Sequence, residues 1–294
     1  MADLRTKHNQ KQNKTDRMAN AVMMNPIIRK MDKIVKEDSA SSSCATYKGV
    51  GTKTLFFLIL TAIGTGLFFL LHYILVDNIN PSQVITFDMD SYTVHTSLPE
   101  MGIIFGALII DIAFPFVVWF IKSTAPIVGS IYALAQGIFV GYVTIIIPTE
   151  YRWLSVLALV LTFAIVATML ILYTTRIIKV TAKFRKFMFI LFGSIIIGSI
   201  LLIVMHFIPG LNIVAMGIDG ILANPVVSII SSIVFIIIAA IFLVADFNGI
   251  EECVERKMDK SYEWMAAFGL AYTIIYLYFK ILNLLVQIFV RNSD

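Results

Sequence analysis

The chain reads as an all-α membrane protein, a seven-transmembrane-helix bundle with the last helix central, and three observations predict this. The first is composition. Apolar residues make up 59% and charged residues 14% of the 294, with a mean hydropathy of +0.86, more apolar than a water-soluble core can absorb. The second is run length. Apolar runs at 54–76, 101–121, 128–147, 153–174, 187–208, 225–245 and 264–290 each approach the ~20 residues that cross about 30 Å of hydrocarbon as a helix. No water is present there to satisfy backbone N–H and C=O groups, so runs of this length must be helical. The third is a polar stripe on the last run, described below.

Two segments follow: a basic cytosolic N-terminal segment, 1–53, and a membrane domain, 54–294. The polar, basic start lacks the short apolar core and small-residue cleavage site of a removable signal peptide, so the first span is expected to anchor itself. With the N-terminus inside, the inner segments hold 11 Lys and Arg in 1–53, Lys122, five in 175–186 and three in 256–260, against Arg152 and Arg291 outside. This bias predicts a cytosolic N-terminus and an outer C-terminus, and the membrane expected is the plasma membrane. The net charge of +4 is absorbed by that topology, which leaves no reason to expect nucleic acid. Cys44 and Cys253 fall on the reducing inner side and suggest neither disulfide, metal site nor cofactor.

Taken in order, residues 1–20 have too little apolar surface to order. Ile27, Ile28, Met31, Ile34 and Val35 oppose Arg29, Lys30, Lys33 and Lys36, the pattern of a short amphipathic helix lying on the inner leaflet or packed on the bundle. Residues 38–54 read as a flexible linker. The loop 77–100 holds Asp77, Asp88, Asp90 and Glu100 and no Lys or Arg, as expected of a solvated outer loop or of acids that gather cations near an outer mouth. Ala133, Gly137 and Gly141 sit four apart, a small-residue face for close helix packing. The loop 175–186, with five bases and no acid, is expected to meet the anionic lipid of the inner leaflet.

Ionisable groups inside a bilayer are costly, about 2.5–3.5 kcal/mol each on insertion scales, so each needs a reason. Lys280 belongs to the polar stripe: Thr273, Tyr276, Lys280, Asn283 and Gln287 follow a 3-4-3-4 spacing on one face of the last helix. Such a face belongs inside the bundle, either as a polar pathway or as hydrogen-bonding glue. Asp246 closes the sixth run on the face of Ser228, Ser232 and Ala239. It sits at the wet interface if the helix stops there, and faces the last helix if the helix continues through GIEECVER. Asp111 lies about 16 Å by helical rise from Lys122 on one face of the second span, too far to pair with it, and needs another partner, water or a proton. His72, His95 and His206 all fall toward the outer side without a spacing that unites them.

Residues 245–284 read ADFNGIEECVERKMDKSYEWMAAFGLAYTIIYLYFKILNL. An Asp ending the penultimate span, the YEWMAAFGL run and the closing LYxxIL pattern resemble the Bax inhibitor / YccA family, with support from Asn25-Pro26 and SIYALAQGIFVG at 130–141. The resemblance implies a seventh helix surrounded by six others and a pH-sensitive calcium leak in which an acid on the sixth helix and one on the seventh share a proton. Asp246 matches the first acid. Lys280 stands where the pattern carries the second. Two close carboxylates cannot both ionise easily and so sense protons, whereas an Asp facing a Lys does not, so the gate is expected to be altered.

The function expected is a cation leak channel or flux regulator, with calcium the ion and Asp246, Lys280, Asp111, Asn283, Gln287 and Tyr276 along its path or gate. The alternative is an interaction protein that binds or restrains a membrane protease through the N-terminal segment. Deleting residues 1–37 separates the two, because only the second loses its activity. No HExxH or GxSxG motif is present, and an enzyme is not expected.

Overall fold

The computed structural model describes residues 44–77, 84–89, 92–178, 180–208, 216–218, 220–221 and 224–290. The amphipathic segment expected at 27–36 lies outside them. Among the described residues seven helices are long and apolar enough to cross a membrane. They are α1 (Tyr47–His72, continued by a π turn to Asp77), α2 (Leu98–Phe120), α3 (Ala125–Ile146), α4 (Trp153–Thr174), α5 (Ala182–Phe207), α6 (Pro225–Glu255) and α7 (Ser261–Phe289).

Several helices outrun their apolar runs, each for a local reason. The last residues of the stretch expected as linker are helical: Thr46 caps α1, its hydroxyl accepting the Gly49 N–H at 3.0 Å, which satisfies a first-turn donor. Helix α6 continues ten residues past its apolar run because Phe247 and Ile250 keep the buried face going. It ends where Lys257 takes a left-handed conformation, φ 51°, and the Lys257 and Met258 N–H groups return to Val254 and Cys253 carbonyls, the usual helix stop. The hairpin to α7 therefore turns near residue 258.

The segment expected as an outer loop forms a β-hairpin and a helix start. Val84–Met89 (β1) and Tyr92–Ser97 (β2) pair antiparallel, Val84 opposite Ser97 and Met89 opposite Tyr92. These stretches are rich in β-branched and aromatic residues, which suit a pleated ribbon. Ser97 then caps α2 through a capping box with Glu100, so Glu100 belongs to a helix start and is 1% exposed.

Helices α1 and α3 approach most closely. A Cβ on Gly137 would stand 2.1 Å from the Thr61 carbonyl oxygen, and one on Gly64 2.3 Å from that of Leu134. The small-residue face is thus a packing seam within the bundle, and the Thr65 hydroxyl donates across it to the Gly137 carbonyl at 3.0 Å. Helix α7 is the most buried span and packs on α1, α3, α4 and α6. Helix α2 rests mainly on α3, and α5 on α6. The central position of α7 follows from its apolar residues on every side but one: Ala267, Ala271, Leu277, Ile281 and Leu282 meet Leu154, Ala158, Ala239 and Leu243 in one cluster.

Candidate functional site

Asp246 sits where the extended α6 crosses α7. Because α6 does not stop at its apolar run, the acid is held inside the bundle rather than at its rim. A Cβ on Gly269 would lie 3.8 Å from its Oδ1, and the Thr273 hydroxyl faces it. That hydroxyl also donates to the Gly269 carbonyl at 3.2 Å, and its one hydrogen serves one acceptor at a time. Asp246 Oδ2 is buried without a hydrogen-bond partner.

Lys280 does not meet Asp246. Its ammonium stands over the Phe235 ring, 4.6 Å from the centroid, and 5.3 Å from that of Tyr276. Phe235 precedes Asp246 by 11 residues of α6, about 16 Å of helix. The pairing expected from the sequence is corrected by hairpin length: a turn near 258 sets Thr273, not Lys280, opposite Asp246. Lys280 is instead accommodated by cation–π contact with two rings.

Asp111 lies on α2, which packs on α3. Both its carboxylate oxygens are buried and lack a hydrogen-bond partner. The ionisable side chains nearest it in effect are Tyr132 and Tyr272, whose rings lie 6.0 Å apart. Gln136 Nε2 donates to the Tyr132 hydroxyl at 2.8 Å, leaving Gln136 Oε1 buried and unpartnered. Tyr132, Gln136 and Tyr272 were not among the residues singled out from sequence. The signal was a Tyr and a Gln one helical turn apart in an apolar span, on the face that α7 covers.

The polar stripe of α7 divides. Thr273 and Gln287 are buried, 8% exposed each; Tyr276 and Lys280 are half-buried, and Asn283 is exposed. The Ser232 hydroxyl donates to Gln287 Oε1 at 3.4 Å, and Gln287 Nε2 donates to Asn283 Oδ1 at 3.1 Å. This end of the stripe is hydrogen-bonding glue between α6 and α7. Tyr278, off the stripe, is itself buried at 7%, because α7 has neighbours on that side as well.

Charged clamps hold both ends of the bundle. Glu263, 1% exposed, accepts the Thr46 N–H at 2.8 Å and the Thr46 hydroxyl at 3.1 Å and pairs with Lys53. Lys53 also lies over the Trp264 ring. The acid of the YEWMAAFGL run thereby ties the start of α7 to the start of α1. Glu251 meets the Tyr173 hydroxyl and, at 2.5 Å, Arg176, whose guanidinium is pushed up by that hydrogen bond and charge. At the other end His72 Nδ1 lies 2.7 Å from Glu100 Oε1, and the Thr96 hydroxyl donates to Glu100 Oε2 at 3.0 Å. His72 is thus engaged by an acid, and His206 by the Leu202 carbonyl at 2.9 Å.

Chemically, Asp246 offers buried oxygen acceptors at the Gly269–Thr273 turn of α7, and Asp111 offers two more on α2. Among the described residues no three His, Cys, Asp or Glu side chains gather as a metal cluster. Oxygen acceptors of this kind suit hard cations, water or protons. No curated protein and no solved structure matches the chain. A family described as Bax inhibitor 1 like matches residues 4–289. With seven apolar helices, a buried last helix and a match over nearly its whole length, this multi-pass membrane protein belongs to the Bax inhibitor 1-like family.

Proposed function

We propose that the protein is a cation leak channel or flux regulator, with calcium the ion implied by the family resemblance, acting in the plasma membrane with its N-terminus in the cytosol. The observation that carries this reading is the pair of buried carboxylates, Asp246 and Asp111, with Asp246 Oδ2 and both Asp111 oxygens lacking a hydrogen-bond partner. A carboxylate in hydrocarbon without a donor is expensive. A passing cation, a proton or water offsets that cost, as a purely structural acid would have no need to do. The bias of Lys and Arg toward the N-terminal side supports the orientation.

The gate differs from a shared-proton acid pair, because the α7 group facing Asp246 is a hydroxyl, Thr273, and the base at 280 lies three turns away. Control then rests on the charge of single carboxylates. Flux into proteoliposomes under calcium, sodium and potassium gradients, measured between about pH 6 and 8, tests the reading. Cation flux in the parent that falls in Asp246→Asn and Asp111→Asn is expected. A folded parent that passes no cation at any pH refutes it.

A further inference from the structure

Helix α5 is the least buried span and leaves a cavity of about 490 Å³ against α6, within the ~300–1,000 Å³ of typical ligand sites. Its walls are apolar. Phe184, Met188 and Phe192 of α5 face Phe242 and Ala245 of α6, and the Phe192 and Phe242 rings meet edge to face at 5.9 Å. One end is polar, closed by Arg185 and Glu252, whose charged groups are 3.4 Å apart. Glu252 is also held by Arg256, and Lys183 and Lys186 lie exposed on the same turn of α5, which carries no acid.

We propose that this cleft binds one anionic phospholipid of the leaflet at that end of the bundle, its acyl chain between α5 and α6 and its phosphate among Lys183, Arg185 and Lys186. The two-part chemistry argues for that occupant. An apolar slot opening onto exposed bases fits a ligand with a hydrocarbon tail and an anionic head, whereas another apolar helix would leave the bases unused. Gly249 lines the slot and has open space where a side chain would stand. The lipid fills that space and completes an α5–α6 interface that side chains leave unfinished.

The test is native mass spectrometry of the full chain released from nanodiscs containing equal phosphatidylglycerol and phosphatidylcholine. The parent should keep one phosphatidylglycerol in preference to phosphatidylcholine by at least about fivefold, the effect of a single base near the headgroups. Gly249→Phe, which fills the slot from an open position, should lose the adduct while keeping the parent's elution volume and melting temperature. Lys183→Gln/Arg185→Gln/Lys186→Gln keeps the slot and should bind both lipids equally. Equal adducts in parent and Gly249→Phe, the mark of annular lipid only, overturn the proposal. So does an undiminished phosphatidylglycerol preference in the triple variant, which decides alone if Gly249→Phe does not fold.

Discussion

The register of the α6–α7 hairpin predicts that Asp246 and Lys280 are energetically independent, while Asp246 and Thr273 are coupled. With the Lys280 ammonium beside Phe235, it stands about 16 Å of helix from Asp246, where an effective dielectric of ~20 leaves about 1 kcal/mol of attraction. A carboxylate placed at 273 would stand about 4 Å from Asp246, and at the same dielectric the repulsion is about 4 kcal/mol. Two double-mutant cycles, read by unfolding in detergent, measure both. Asp246→Asn with Lys280→Met should be additive to within about 1 kcal/mol. Asp246→Asn with Thr273→Asp should show a coupling of about 4 kcal/mol under alkaline conditions. That coupling should shrink in acid, where one shared proton relieves the repulsion. The same Thr273→Asp variant is the one expected to give flux a sharp pH dependence, and Lys280→Asp is not. A coupling of Lys280 to Asp246 as large as that of residue 273 refutes the register.

Other predictions address the frame. Gly137→Ala presses a Cβ against the Thr61 carbonyl and should cost about 1–3 kcal/mol or more of stability, whereas Gly66→Ala meets open space and should be neutral or gain up to ~1 kcal/mol; thermal unfolding compares the two. Glu263→Gln removes the charge that Thr46 and Lys53 share and should lower stability by about 2 kcal/mol, with faster proteolysis at the start of α1. Thr181→Cys, in a background with Cys44→Ser and Cys253→Ser, should resist an impermeant thiol reagent applied outside intact cells. Labelling there would reverse the proposed orientation.

Much of the architecture was legible in the chain because it depends on one-dimensional quantities. Hydropathy summed over a window reports whether a segment can enter hydrocarbon, and the seven runs all appear as helices. The small-residue face of α3 announced a close neighbour, and α1 supplies it at Gly64. The polar stripe on the apolar last run announced a central position for α7, and α7 is the most buried span. The hairpin within 84–97 and the buried Glu100 were read as loop, since an acid among loop residues gives no hint that His72 and Thr96 will enclose it.

What tertiary structure alone decided was depth and partnership. Asp246 was visible as an expensive acid, yet whether it faced Lys280 or Thr273 depended on where α6 ended, and a few residues of turn move an antiparallel partner by a full helical turn or more. Asp111 likewise required a partner that its own span does not contain, and the bundle buries both its oxygens without supplying one. Propensity and hydropathy act within a segment, so they determine which helices form. The level at which two helices meet is set by side-chain packing between segments distant in sequence, and that packing decides which charges find one another.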